Sequence, residues 1–160
     1  MMKLLLVEDE GPKGEKIASC LKDKFPGVDI NLARSVRSAL KKLDQISYDL
    51  VVLDMSLPTF DISEDEHGGR PQGFGGMEVM RDMVNYEIIT PVIVVTAYEY
   101  FSADSDEDLA HGKESTLMEL KAELSDEFPE IFIELIKYDT FTDEWKAQLV
   151  DSISAIEETF

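Results

Sequence analysis

Four short apolar runs each stop at a polar side chain, and this placement constrains the fold more than any other feature of the chain. Leu4-Leu5-Leu6-Val7 runs into Glu8-Asp9-Glu10, Leu50-Val51-Val52-Leu53 into Asp54, Val92-Ile93-Val94-Val95 into Thr96, and the run from Ile131 to Ile136 into Lys137. The first three are continuous apolar runs, which suit strands buried on both faces, as in a parallel sheet, and the fourth is interrupted by Glu134. In an open parallel α/β sheet, ligands bind outside the carboxyl ends of the strands, so the four endings converge on one pocket. That pocket would hold several carboxylates, one hydroxyl and one ammonium.

Helical periodicity alternates with the strands. Ile17, Leu21 and Phe25 predict a helix over 13–24 with Pro12 at its start. A second strand over 28–33 leads to Ser35, a capping residue for a helix with Val36, Leu40 and Leu43 on its inner stripe. The third strand spans 48–53, Met77, Met80 and Val84 mark the next helix, and Pro91 introduces the fourth strand. Leu117, Leu120, Leu124 and Phe128 predict a helix before the fifth strand, and Trp145, Leu149, Ile153 and Ile156 predict the last one. This alternation predicts an α/β fold with a five-stranded parallel sheet, doubly wound, in the order 2-1-3-4-5. At 160 residues the chain is expected to be one domain over 1–160. Two stretches lack apolar periodicity: an acidic Gly/Pro-rich loop over 59–76 after the third strand, and an acidic insertion over 102–114 before the fourth helix. The first follows Asp54 directly, so a lid or docking surface is one reading and a tolerated insertion the other.

Charge and segment lengths narrow the function classes. Fifteen basic against thirty-four acidic residues give a net charge of −19, which repels phosphate backbones and anionic lipid, so neither nucleic acid nor membrane is expected as a partner. The apolar runs are far shorter than a membrane span, and the amino terminus is unlike a secretion signal, which predicts a cytoplasmic protein. Lone Cys20 lies on the apolar side of the first helix and is expected to pack rather than react. His67 and His111 sit in acid-rich segments, where a solvated imidazole is the simpler reading. Glu10 reads as a helix N-terminal charge.

In sequence order, Lys3-Leu4-Leu5-Leu6-Val7-Glu8-Asp9-Glu10, Asp54-Met55-Ser56-Leu57-Pro58, Val95-Thr96-Ala97 and Ile136-Lys137, with Gly76-Met77-Glu78 at a helix start, resemble the receiver domains of two-component response regulators. The resemblance covers nearly the whole chain and implies a CheY-like, flavodoxin-like receiver. It implies that Asp54 accepts a phosphoryl group from a histidine kinase or a histidine phosphotransfer protein, with Mg²⁺ in the acidic pocket. The chain would then be a stand-alone signalling domain that acts through altered binding of a downstream protein and catalyses only its own phosphorylation and dephosphorylation. The chemistry is consistent. Two carboxylates about 4 Å apart repel by about 4 kcal/mol at an effective dielectric of about 20, so Glu8, Asp9 and Asp54 need a cation or a raised pKa. Mg²⁺ suits Asp9 and Asp54 as direct ligands, Glu8 through water and the Ser56 backbone carbonyl. Asp54 is then the nucleophile, while Lys137 and Thr96 receive phosphoryl oxygens.

Several residues depart from the family's pattern. Many receivers carry an aromatic residue three places before the lysine, where this chain has Glu134, so the usual switch is in question. Tyr138 replaces the proline that commonly follows the lysine. Ser56 and Tyr98, two places after the nucleophile and the threonine, would flank the path of a hydrolytic water. A non-switching interaction module on the same fold is the alternative function. A phosphatase that uses a strand-end Asp would need a second acid where Ser56 stands.

Overall fold

The computed structural model describes residues 2–60, 75–97 and 113–158. Most of the loop expected over 59–76, nearly all of the insertion expected over 102–114, and His67, Tyr98 and His111 lie outside those residues. The strands are β1 (Lys3–Val7), β2 (Asp29–Ala33), β3 (Leu50–Leu53), β4 (Val92–Thr96) and β5 (Phe132–Lys137). Between them run α1 (Gly11–Lys24), α2 (Val36–Gln45), α3 (Gly75–Asn85) and α4 (Lys113–Glu127), and α5 (Glu144–Glu157) closes the chain. The sheet has the expected order β2-β1-β3-β4-β5, and all four pairings are parallel. No described helix is long and apolar enough to cross a membrane.

The two faces of the sheet carry separate cores because side chains alternate along each strand. Leu5, Val7, Val51, Leu53, Val92 and Val94 pack under α2, α3 and α4, against residues such as Ala39, Met80 and Leu124. Leu4, Leu6, Val52, Ile93 and Val95 pack under α1 and α5, against Ile17, Leu21, Leu149 and Ile153. Both faces are covered over the middle of the sheet, which accounts for the unbroken apolar runs of β1, β3 and β4.

Local signals set where the helices begin. Ser35 caps α2 as expected, accepting from Ser38 N at 3.1 Å in a reciprocal capping box. The next two orphan donors of that helix, Val36 N and Arg37 N, are satisfied by Pro58 O and Thr59 O, each at 3.0 Å. This clamps the segment that follows Asp54. Its other side is closed by α3, whose first residues are Gly75 and Gly76, the last two positions of the expected loop. A Cβ on Gly76 would collide with Asp54 O and would lie 2.6 Å from Met55 Cε. Only an absent side chain lets α3 lie this close. Likewise α4 starts at Lys113, inside the segment expected to be an insertion.

Candidate functional site

Glu8 and Asp54 are each the first residue past a strand, and the sheet's own hydrogen bonds hold both in place. Glu8 N donates to Ala33 O at 2.9 Å, and Asp54 N donates to Val7 O at 3.0 Å, so each ladder continues one step beyond its strand. The side chains therefore emerge together at the carboxyl edge. Oxygens of Glu8, Asp9 and Asp54 all lie within 4.8 Å of one another, with Glu8 and Asp54 buried and Asp9 half-buried. Asp54 Oδ1 accepts from Met55 N at 2.8 Å, and Glu8 Oε1 accepts from Glu10 N at 3.1 Å.

A fourth charged group stands among them. Lys13, in the first turn of α1, has its ammonium 2.9 Å from Glu8 Oε2 and 3.3 Å from Asp54 Oδ1, and donates to Val95 O at 3.0 Å. Its side chain is 1% exposed. Helical side chains lean toward the helix N-terminus, which carries this stem back over the strand ends. The ammonium also lies 5.4 Å from the centre of the Tyr138 ring. Sequence reasoning used position 13 only as a helix boundary. The usable signal was spacing: Lys13, Ile17, Cys20 and Leu21 fall at i, i+4, i+7 and i+8, and all four are buried.

Crowding of charge shows in the proton affinities. Burial, and next the charge of Asp54, push Glu8 up to about 8. The same two causes raise Asp9 above the usual carboxylate range. Burial disfavours the Lys13 ammonium, but Asp54 and Glu8 outweigh it and hold its pKa above the usual lysine value. One ammonium facing three carboxylates leaves an excess of negative charge, which a proton or a cation relieves. Hard carboxylate oxygens at this separation fit a small divalent ion such as Mg²⁺.

The other expected site residues lie along the same edge. Thr96 and Lys137 are register partners at the ends of β4 and β5. Thr96 is fully buried, and its Oγ1 makes no hydrogen bond among the described residues. Ser56 is buried two residues beyond Asp54, in the segment clamped by α2 and α3. Tyr138 uses the backbone N–H that a proline would lack: it donates to Thr96 O at 2.9 Å, and its ring packs on Trp145 at 5.1 Å. Glu134 reaches α4, pairing with Lys121 at 2.8 Å, so an ion pair stands three places before Lys137.

Sheet order, doubly covered faces and an acidic carboxyl edge now stand together, and solved structures share that architecture. The receiver domain of a Francisella response regulator is 20% identical and superposes with a TM-score of 0.57, covering 100% of both chains. A response regulator receiver domain protein from Clostridium thermocellum is 18% identical with a TM-score of 0.61, covering 98% of this chain and 94% of that one. The chain has the response-regulator receiver fold. Among curated proteins, the chain is similar to the Detocs response regulatory protein DtcB of Enterobacter cloacae, 27% identical over 157 residues that cover 97% of this chain and 100% of that protein. No model of a known protein family matches the chain. The sequence resemblance to response regulators is thus matched by relatives and by fold.

Proposed function

We propose that this receiver is a phosphoacceptor: Asp54 takes a phosphoryl group from a phosphohistidine donor, a histidine kinase or a histidine phosphotransfer protein, and the modified protein signals by changing what it binds. The observation that carries the reading is the gathering of Glu8, Asp9 and Asp54 oxygens within 4.8 Å at the strand edge that also presents buried Thr96. In the reaction a carboxylate oxygen of Asp54 attacks phosphorus in line, the bond from phosphorus to the donor imidazole nitrogen breaks, and the electron pair leaves with the imidazole. Asp9 and Asp54 would hold Mg²⁺ directly, with Glu8 through water and the Ser56 carbonyl completing the set. When bound, the ion supplies charge neutralisation between the anionic donor and the carboxylate. Thr96 Oγ1 donates to one phosphoryl oxygen, which would give its unused hydrogen-bonding capacity a partner, and Lys137 pairs with another as a point charge. A cytoplasmic location belongs to the same proposal.

Acetyl phosphate with Mg²⁺ tests it. Wild-type protein should acquire one acid-stable, base-labile phosphoryl group by intact mass, and Asp54→Asn should acquire none. Undiminished labelling of that variant would overturn the assignment. A second reading, an interaction module that does not switch, is favoured by the Glu134–Lys121 pair, which occupies the place of the family's moving aromatic residue. Beryllofluoride with Mg²⁺ separates the two: a phosphoacceptor that switches changes its amide NMR spectrum well beyond the site, whereas a static module changes only around Asp54.

A further inference from the structure

Lys13 has no part in the scheme above, yet it is the most deeply buried charge in the molecule's acidic centre. All three ammonium protons have acceptors: Glu8 Oε2, Asp54 Oδ1 and Val95 O. The position is costly on two counts. A cation in the first turn faces the positive end of the helix dipole, and the i, i+4, i+7, i+8 stripe that it opens otherwise holds Ile17, Cys20 and Leu21. An apolar residue would satisfy both the packing and the dipole. What only the lysine supplies is a positive charge against Glu8 and Asp54, two of the three carboxylates that would surround a divalent ion.

We propose that Lys13 is a tethered cation that competes with the divalent ion for Glu8 and Asp54, so that the acidic site stays folded without metal and binds Mg²⁺ weakly. With the ammonium in place, Met55 N and Lys13 Nζ both reach Asp54 Oδ1, and Glu8 has one oxygen on Glu10 N and the other on Lys13. An ion entering this arrangement must draw those carboxylates from the lysine or make do with Asp9 and what remains of Asp54. The inference rests on the phosphoacceptor reading only in taking the site to accept a divalent ion.

The test is calorimetric titration of Mg²⁺ and Mn²⁺ into unphosphorylated wild-type protein and Lys13→Met, which keeps the length of the stem and removes the charge. Loss of a unit charge in contact with the site should tighten divalent binding by about tenfold or more. Equal or weaker binding in the variant overturns the proposal. Thermal unfolding gives a second readout: Lys13→Met should melt early in EDTA and be raised by millimolar Mg²⁺ by more than wild type is, and an equal rise counts against it. Should the variant not fold, the ¹⁵Nζ resonance of Lys13 in wild-type protein decides. It should move during a Mg²⁺ titration with the calorimetric midpoint, and a signal that stays fixed while metal binds overturns the idea. Tighter metal binding in Lys13→Met together with no labelling of wild-type Asp54 would leave this inference standing and remove the phosphoacceptor reading.

Discussion

The two ends of the sheet place a lysine among acids in opposite ways. At the amino end, Lys3 Nζ lies 3.8 Å from Asp29 Oδ2 with both side chains about half in water, and Lys3 N donates to Asp49 Oδ2. At the carboxyl end, Lys13 meets Glu8 and Asp54 with all three side chains at 2% exposure or less. The residue types match and the energetics do not. Water already solvates the first set, so the pairing adds little, whereas each member of the second depends on the others for its solvation. An acidic cluster becomes a site through burial, and here burial follows from ladders that continue past β1 and β3 to anchor Glu8 and Asp54.

Substitution of the two lysines puts that contrast under the greatest load. Lys13→Met should lose about 3–5 kcal/mol in metal-free buffer by urea denaturation, because it strands the buried Asp54 carboxylate and takes from buried Glu8 its nearest donor. A loss no larger than that from Lys3→Met would break the comparison. The next effect is one of pH. Glu8 holds its proton up to about 8 in the fold, against an ordinary value of 4.5, so between those limits the unfolded chain binds fewer protons than the native one. Stability in EDTA should therefore fall as pH rises from about 4.5 to about 8, by a few kcal/mol in all, with its full contribution present at the acid end. Glu8→Gln should flatten that slope, and an unchanged slope would assign the proton elsewhere. Smaller again is Gly76→Ala, expected to cost about 1–3 kcal/mol through collision with the backbone of Asp54 and Met55, and to slow acetyl phosphate labelling as that segment shifts. The smallest is Lys3→Met, at about 1 kcal/mol or less by the same denaturation assay and fading in high salt.

Much of this was legible along the chain because strand burial leaves a direct mark. Each run of four or more apolar residues became a strand, and the polar residue after each run came to the carboxyl edge. Ser35 was readable because a hydroxyl before an apolar stripe has one economical use. Lys13 was not, since a lysine near a helix start is normally solvated, and only the stripe it shares with Ile17 and Leu21 reveals it. Gly75 reads as loop, and Gly76 as loop by composition though as a helix start by the resemblance, because glycine disfavours helices in general, and the close approach that demands it there is a tertiary fact. Tyr138 posed a similar difficulty. In the sequence it shows only that the usual proline is replaced, while in three dimensions it lengthens the β4–β5 ladder by one hydrogen bond.

The Tyr138 ring lies between the Lys13 ammonium and Trp145, which is the chain's single tryptophan. Indole emission responds to nearby charge, so a change of charge at the strand edge should reach Trp145 through one phenol ring and alter its fluorescence against the constant background of Lys146, 5.7 Å from the indole.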